Sequence, residues 1–297
     1  VNAENVVETA IAFWEAPLEA PSILQRQTDF GAWLAHRKDF SGALMRAMRG
    51  RLGALRPLEL LDLAVAAREA AAGKHLLAWA ADGAAQQGLA RLGLAGQLSS
   101  APDDHLLVVD TNMGWNKADR AIARAMTYEV NLQGEPEARA CITYRHTATA
   151  PLARCEHRAQ YLDSYEALTQ QCYWNYVRVL APAGSQLLAL EGVEGAVEAA
   201  REGHRVSWGA LTVVPPTEER TVCAAYHLPA DVVRTEGGRQ VYRLTVQKQA
   251  GTVAVPLQVR LRLPEGAVEV AGDLPWHLLG ASEVVLEDVL ATDRSYT

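Results

Sequence analysis

Residues 110–119 contain the side chains whose types and spacing come nearest to a chemical site. They read DTNMGWNKAD and place oxygen-bearing side chains at Asp110, Asn112, Asn116 and Asp119. Such oxygens suit a hard cation, so one interpretation is a calcium site. The pattern is not an EF-hand, because Gly stands at its fifth position and no Glu at its twelfth. The alternative, which we favour, is a strand end followed by common Asx turns, whose side chains bond their own backbone.

An aromatic block, CYWNYVRV at residues 172–179, is the second candidate. On a strand, Trp174, Tyr176 and Arg178 would share one face, because side chains alternate between the two sides of a sheet. Exposed Trp and Tyr can stack on other rings, so this face is a candidate surface for a glycan or a protein. The alternative is that Trp174 and Tyr176 fill the core. We favour burial, because large aromatic side chains usually bury most of their area.

Signatures of catalysis are missing, and no catalytic residue is predicted. The sequence has no Gly-x-Ser-x-Gly elbow, no Gly-rich phosphate loop and no helical histidine pair. Cys141 and His146 stand five residues apart on a predicted strand and would face opposite sides. A glycosidase carboxylate pair is defined in space and not in sequence, so enzymatic activity stays an open question. Apart from calcium, no cofactor is predicted.

The four cysteines match no zinc or redox spacing. Cys155 and Cys172 bracket a polar segment, where a disulfide would close a loop of about 18 residues and contribute roughly 3 kcal/mol. The alternative is two buried free thiols in a cytoplasmic protein, and the residues alone favour the disulfide only slightly. Cys141 and Cys223 fall within apolar strands and are predicted to be small core residues.

Composition and charge narrow the class of protein. Of 297 residues, 49% are apolar and 21% are charged, as in an ordinary globular chain. The net charge of −7, without a run of Lys and Arg, argues against a nucleic-acid partner. No segment has the roughly twenty apolar residues of a membrane helix. Because the chain begins with Val1, we expect any export signal or anchor to lie upstream.

The elements that would position these residues indicate an α+β chain, helical at first and β-rich afterwards. Helices are predicted over residues 5–14 and 57–72 and after Asp82, which suits a helix cap. Strands are predicted over 106–109, 126–132, 138–146, 173–180 and 186–190, and strict alternation follows from about 206. We expect a helical segment at 1–103, a mixed β region at 104–203 and an immunoglobulin-like sandwich at 204–297.

Several stretches together resemble the bacterial family known as domain of unknown function 4012. The matching segments lie at residues 37–40, 74–77 with Trp79, 105–112, 116–117, 155, 172–179, 182, 184–185, 226–229 and 247–252. Single segments are weak signals, whereas their order and combination are fairly specific. This chain would correspond to the C-terminal portion of such a protein.

The resemblance implies a large extracytoplasmic protein of the cell envelope, anchored by an N-terminal membrane helix that lies outside this chain. An envelope location strengthens the expectation of a Cys155–Cys172 disulfide. The preferred function is a non-enzymatic surface module that binds or scaffolds, with a surface glycan or another envelope protein as partner. The alternative is an enzyme acting on envelope polysaccharide or its lipid-linked precursors, with its site completed by an upstream half.

Overall fold

The computed structural model describes residues 1–24, 29–158, 164–267, 271–272, 276–280 and 282–297. Its helices are α1 (Val6–Glu15), α2 (Phe30–His36), α3 (Asp39–Leu52), α4 (Pro57–Ala72), α5 (Gly83–Arg91) and α6 (Tyr165–Thr169). Its strands are β1 (Asp104–Asn112), β2 (Ile122–Asn131), β3 (Glu137–His146), β4 (Tyr173–Pro182), β5 (Gln186–Glu191), β6 (Glu194–Glu202), β7 (Arg205–Val214), β8 (Glu219–His227), β9 (Val233–Glu236), β10 (Arg239–Tyr242), β11 (Leu244–Gln247), β12 (Val255–Arg262), β13 (His277–Leu278), β14 (Glu283–Leu290) and β15 (Arg294–Tyr296). Short 3₁₀ turns span Ala118–Ala121 and Ala230–Val232.

Helices α1, α4 and α5 form where the sequence predicts them, α3 was not predicted, and the N-terminal helices bury little surface. Helix α4 has the predicted bounds, and Asp82 caps α5 by accepting a hydrogen bond from the Ala85 amide at 2.8 Å. However, α1, α3, α4 and α5 contain no buried residue. Leu58 and Leu61 of α4 are 76% and 64% exposed. These apolar side chains of α4 are therefore not covered by the part of the chain that the structure describes.

A tryptophan pair ties the first helices to the β region. Trp33 of α2 is fully buried, and its indole N–H donates to the Trp14 carbonyl at 2.8 Å. Trp14 meets Tyr165 of α6 edge to face, with ring centroids 5.5 Å apart. The Glu15 carboxylate accepts a hydrogen bond from the Tyr165 amide at 2.8 Å. These contacts fix α1 beside α6, one of the elements that border the site described below.

Two sheets and a two-stranded ribbon make up the β region. One sheet has the order β15-β11-β1-β4-β7-β6, the other has the order β13-β14-β12-β2-β3-β8-β5, and β9 pairs with β10 in the ribbon. Most pairs are antiparallel, but β1 pairs with β11 and β12 with β2 in parallel. One continuous apolar core contains residues of both sheets, so the sheets pack against each other.

A boundary between two β regions was expected near residue 204, but the sheets do not divide there. Each sheet contains strands from 104–203 and strands from 204–297. The late strands β11 and β12, for example, pair with the early strands β1 and β2. The α+β composition and the change from helices to strands are confirmed. An immunoglobulin-like C-terminal sandwich is not confirmed, because the strands after 204 pair with earlier strands and include parallel pairs.

A cluster of tyrosines surrounds a carboxyl group between the sheets. Asp104 is fully buried and accepts hydrogen bonds from the hydroxyls of Tyr128, at 2.8 Å to Oδ2, and Tyr242. Burial raises the pKa of Asp104 to about 6, although the tyrosine hydrogen bonds oppose the shift. The neighbouring His105 is also buried, and burial lowers its pKa to about 4, with Arg205 adding to the shift.

Two disulfides link the cysteines. The expected bond between Cys155 and Cys172 is present and closes a short connection ahead of β4. The expectation for Cys141 and Cys223 was wrong: they are bonded to each other, because they stand directly opposite on the paired strands β3 and β8. Two disulfides point to an oxidising, extracytoplasmic environment.

Among the described residues, no helix is long and apolar enough to cross a membrane.

Candidate functional site: a polar cleft beside an aromatic stack

A cleft with a volume of about 400 Å³ lies at the end of β1. We term it the Asp110 cleft. It is lined by Asp110, Asn112, Asn116, Lys117, Asp119, Arg120, Arg124, Tyr165, Gln249, Ala250, Gly251 and Thr252. The four residues predicted as a cation site therefore lie in one wall. The opposite wall comes from a segment more than a hundred residues away in sequence.

Asp110 is the most deeply held carboxylate of the cleft, with 6% of its side chain exposed. Arg124 Nε donates to its Oδ2 at 2.7 Å. The Tyr144 hydroxyl and Asn175 Nδ2 donate to its Oδ1 at 2.5 and 2.8 Å. Both oxygens therefore carry strong donors, and the carboxylate joins β1 of one sheet to β2 and β3 of the other.

Arg124 is equally constrained, and it also binds the second carboxylate of the cleft. Its Nη2 donates to Asp119 Oδ1 and to the Tyr173 hydroxyl, the latter at 2.9 Å. Its guanidinium lies 5.8 Å from the ring centroid of Tyr144 and 5.6 Å from that of Tyr173. Burial alone would lower the pKa of Arg124, but the charge of Asp110 and the other partners raise it above its usual value. Arg124 is thus a fixed cation that both carboxylates share.

The asparagines of the predicted cation site form turns. Asn112 Oδ1 accepts the Gly114 amide at 2.8 Å, and Asn116 Oδ1 accepts the Ala118 amide at 3.0 Å. These are the Asx turns offered as the alternative interpretation. The oxygens that calcium would need already accept hydrogen bonds, and the calcium site stays a prediction.

The far wall is attached to β1 through the amide group of Gln249. Its Oε1 accepts the backbone N–H of Asp110 at 2.8 Å, and its Nε2 donates to the Asp110 carbonyl at 2.9 Å. The side chain thus continues the hydrogen bonding of the parallel β1–β11 pair beyond the end of β11. The Gly251 amide donates to the Lys74 carbonyl at 3.1 Å, so the helical segment supports this wall from behind.

A buried lysine fixes the same wall internally. Lys248 is 3% exposed, and its ammonium donates to the carbonyls of Gly73 at 2.9 Å and Thr252 at 2.5 Å. Burial, followed by the nearby charge of Lys74, lowers the pKa of Lys248. Because three N–H donors can meet several carbonyls at once, this ammonium holds the loop closed.

Next to the cleft, three rings form what we term the Trp115 stack. Trp174 of β4 stacks on His157 with ring centroids 4.5 Å apart, and His157 stacks on Trp115 at 5.0 Å. His157 Nε2 also donates to the Met113 carbonyl at 3.0 Å. Trp115 is 63% exposed and has a φ of 51°, a left-handed conformation that bulky residues rarely adopt. The flanking Asx turns therefore hold a large aromatic ring outwards at the end of the stack.

Trp174, Tyr176 and Arg178 share a face of β4, as predicted, and all three are half-buried. The favoured alternative, that Trp174 and Tyr176 fill the core, was wrong: the opposite face of β4 enters the core. The Tyr176 hydroxyl donates to Glu198 at 2.7 Å, and Arg178 donates to Glu202 at 2.8 Å. Tyr176 and Arg178 are therefore engaged with β6.

A glycine permits this arrangement. Gly209 of β7 lies between β4 and β6, opposite Arg178 and Glu198. A Cβ at Gly209 would stand 2.8 Å from the Tyr176 hydroxyl and 2.9 Å from Arg178 Cγ. The two side chains can lie flat across β7 only because that position has no side chain.

Sequence reasoning missed several residues of the site, namely Trp115 as an exposed ring, His157, Arg124, Lys117, Arg120 and Gln249. For Trp115 the sequence did contain a signal. A Trp between two asparagines that form Asx turns is itself held in a turn, and turns lie at the surface. For Arg124 and Gln249 no local signal exists, because their partners come from distant strands.

Comparison with known proteins gives no family. No family model matches the chain, and no curated protein matches it. Among solved structures, one similar chain is described as a nutrient binding protein from Legionella pneumophila, at a TM-score of 0.34, 6% identity, and 65% and 70% coverage of the two chains. Another is a two-domain zinc metallopeptidase bound to L-arginine, at a TM-score of 0.25, 9% identity, and 57% and 39% coverage. At such TM-scores neither likeness assigns a fold or a function.

Proposed function

We propose that this chain is a non-enzymatic binding module of the bacterial cell envelope, and that it binds carbohydrate at the Trp115 stack and the adjoining Asp110 cleft. The observation that carries the proposal is Trp115, an exposed indole held in a left-handed conformation and supported by two further rings. Backbone conformations of this kind persist where the surroundings impose them, and they are concentrated at functional sites.

The stack suits a sugar ring because it offers a flat apolar surface next to polar groups. Rings of Trp stack on apolar faces, while the edges of a ligand remain free for hydrogen bonds. The two residues after Trp115, Asn116 and Lys117, line the cleft, so a ligand on the indole would reach the polar wall. A concave site with few convergent polar groups is the usual form of a small-ligand site.

The carboxylates of the cleft are not arranged like the catalytic pair of a glycosidase. A glycosidase needs one carboxyl group that donates a proton and a second that attacks or activates water. Asp110 and Asp119 both accept hydrogen bonds from Arg124, and Asp110 accepts two more. Asp110 is therefore not placed as a free acid, and Asp119 is tied to the same arginine. The second hypothesis, an enzyme on envelope polysaccharide, would have to use groups outside this pair.

The envelope location is supported by the two disulfides and by the resemblance to the domain of unknown function 4012 family. Disulfides persist in compartments outside the cytoplasm, and a surface glycan is accessible there. The resemblance adds the expectation of an anchor outside this chain.

The test is a glycan array with the full chain, followed by titration calorimetry on the ligands found and a screen for hydrolysis. Trp115→Ala should abolish binding. Trp79→Ala is the matched control, because Trp79 is 78% exposed and is not among the residues that line the cleft. Undiminished binding by the Trp115 variant would refute the site, and turnover of any glycan would refute the non-enzymatic assignment.

A further inference from the structure

The charges that line the Asp110 cleft do not balance. The lining contains three cationic side chains, Lys117, Arg120 and Arg124, and two carboxylates, Asp110 and Asp119. Both carboxylates bind Arg124, with Arg124 Nε 2.7 Å from Asp110 Oδ2. Within the described part of the chain, no carboxylate pairs with Lys117 or Arg120. The described lining therefore carries a net charge of +1, and its two cations without a described carboxylate partner are Lys117 and Arg120.

These two cations are held in place by the backbone around them. Arg120 lies in the 3₁₀ turn Ala118–Ala121, and its guanidinium is 5.8 Å from the ring centroid of Tyr165. The Lys117 amide donates to the Leu168 carbonyl of α6 at 3.1 Å, which fixes the turn against that helix. Both side chains are exposed at the cleft and their polar ends are free to meet a ligand.

The positive cleft stands out against the charge of the chain as a whole, which is −7. A distant anion is repelled by this net charge, so an anionic ligand would be attracted only within about a Debye length of the cleft, ~10 Å at moderate salt. A neutral sugar would gain nothing from Lys117 and Arg120 except hydrogen bonds. An anionic group gains charge-assisted bonds, which are about twice as strong as neutral ones.

We propose that the ligand is an acidic sugar, whose carboxylate or phosphate binds between Lys117 and Arg120 while its ring stacks on Trp115. This inference rests on the proposed function, since it specifies the chemical class of the carbohydrate. Arg124 is a positioning residue, because its donors are committed to Asp110, Asp119 and Tyr173. Specificity for acidic sugars thus comes from the two exposed cations alone.

The experiment compares three ligand sets of equal length by titration calorimetry: neutral oligosaccharides, uronic-acid oligosaccharides and phosphorylated sugars. The double variant Lys117→Ala/Arg120→Ala should bind acidic ligands about tenfold more weakly, which is about 1.4 kcal/mol, and should weaken neutral ligands clearly less, because these lose only hydrogen bonds. Affinity of the unmodified chain for acidic ligands should fall with added salt, and that salt dependence should be lost in the variant.

Lys38→Ala/Arg68→Ala is the matched control, because both residues are exposed cations of the helical segment. Folding of each variant is checked by its thermal midpoint. Preference for uronic acids or for phosphorylated sugars supports the inference and identifies the anionic group. Equal binding of neutral and acidic sugars, with no effect of the double variant, overturns the inference but leaves the proposed function standing. Absence of binding to any sugar refutes the proposed function itself.

Discussion

Asp104 and His105 are adjacent core residues whose titrations act on stability in opposite directions. Burial raises the pKa of Asp104 from 3.8 to about 6, despite hydrogen bonds from Tyr242 and Tyr128. Burial lowers the pKa of His105 from 6.5 to about 4. Each difference of about two pKa units corresponds to ~3 kcal/mol.

The signs of the two effects follow from linkage. Folding raises the pKa of Asp104. Its contribution to the free energy of unfolding is therefore complete below the unfolded pKa of 3.8, and it is lost as the pH rises through about 6. Because folding lowers the pKa of His105, its contribution is complete above the unfolded pKa of 6.5 and is lost as the pH falls through about 4. The two slopes should therefore nearly cancel in the unmodified chain.

When one of the two residues is replaced, stability should show the pH dependence that the other residue causes. Asp104→Asn keeps an oxygen that accepts from the tyrosines but removes the titration. From about pH 4 to pH 7, the free energy of unfolding of this variant should rise by about 3 kcal/mol more than that of the unmodified chain. His105→Gln should show the opposite trend, falling by about 3 kcal/mol over the same interval. Urea unfolding followed by tryptophan fluorescence at several pH values measures both.

Asp62→Asn is the control, because it makes the same Asp-to-Asn change on the exposed helix α4. If both core variants keep the pH profile of the unmodified chain, the opposing titrations do not exist. If both change in the same direction, the compensation between the two residues is refuted.

Three further results are expected. Asp110→Ala should lower the free energy of unfolding by about 3–5 kcal/mol, because it leaves the buried charge of Arg124 without its main partner; a loss below about 1 kcal/mol in urea unfolding would contradict the buried ion pair. Cys155→Ser should lower the free energy of unfolding by roughly 3 kcal/mol. In the unmodified chain, mass mapping of non-reduced peptides should find Cys155 joined to Cys172, and a free thiol at either position would be contrary evidence. Gly209→Ala should destabilise by about 1–3 kcal/mol through overpacking, which a fall in the thermal midpoint would reveal and an unchanged midpoint would disprove.

Much of the β region could be predicted because alternation is a local property. Strands β2, β3 and β4 lie within a few residues of their predicted bounds, and β12 lies in the part of the chain where strict alternation was predicted. Strand β6 was missed, since EGAVEAARE has the Ala and Glu content of a helix. It is a strand because it pairs with β7 and because Glu198 and Glu202 bind side chains of β4.

What the sequence could not supply is pairing across long distances. The Cys141–Cys223 bond depends on the register of β3 against β8, which no local pattern specifies. Residues 110–119 were singled out as a possible cation site and line the cleft, whereas residues 249–252 reach the same cleft through the parallel β1–β11 pair. The outward position of Trp174 depends on which face of β4 meets the second sheet, and alternation alone leaves that choice open.

The parallel pairs of β1 with β11 and of β12 with β2 also set the order in which the chain can fold. Neither sheet is complete until residues beyond about 244 are available, because each sheet places a late strand beside an early one. The Cys155–Cys172 bond, 17 residues apart, can form from local segments, whereas Cys141 and Cys223, 82 residues apart, must await β8. A chain synthesised from its N-terminus would thus expose unpaired strand edges until β11 and β12 have been made. Deleting these two strands should cost solubility before it costs helix content.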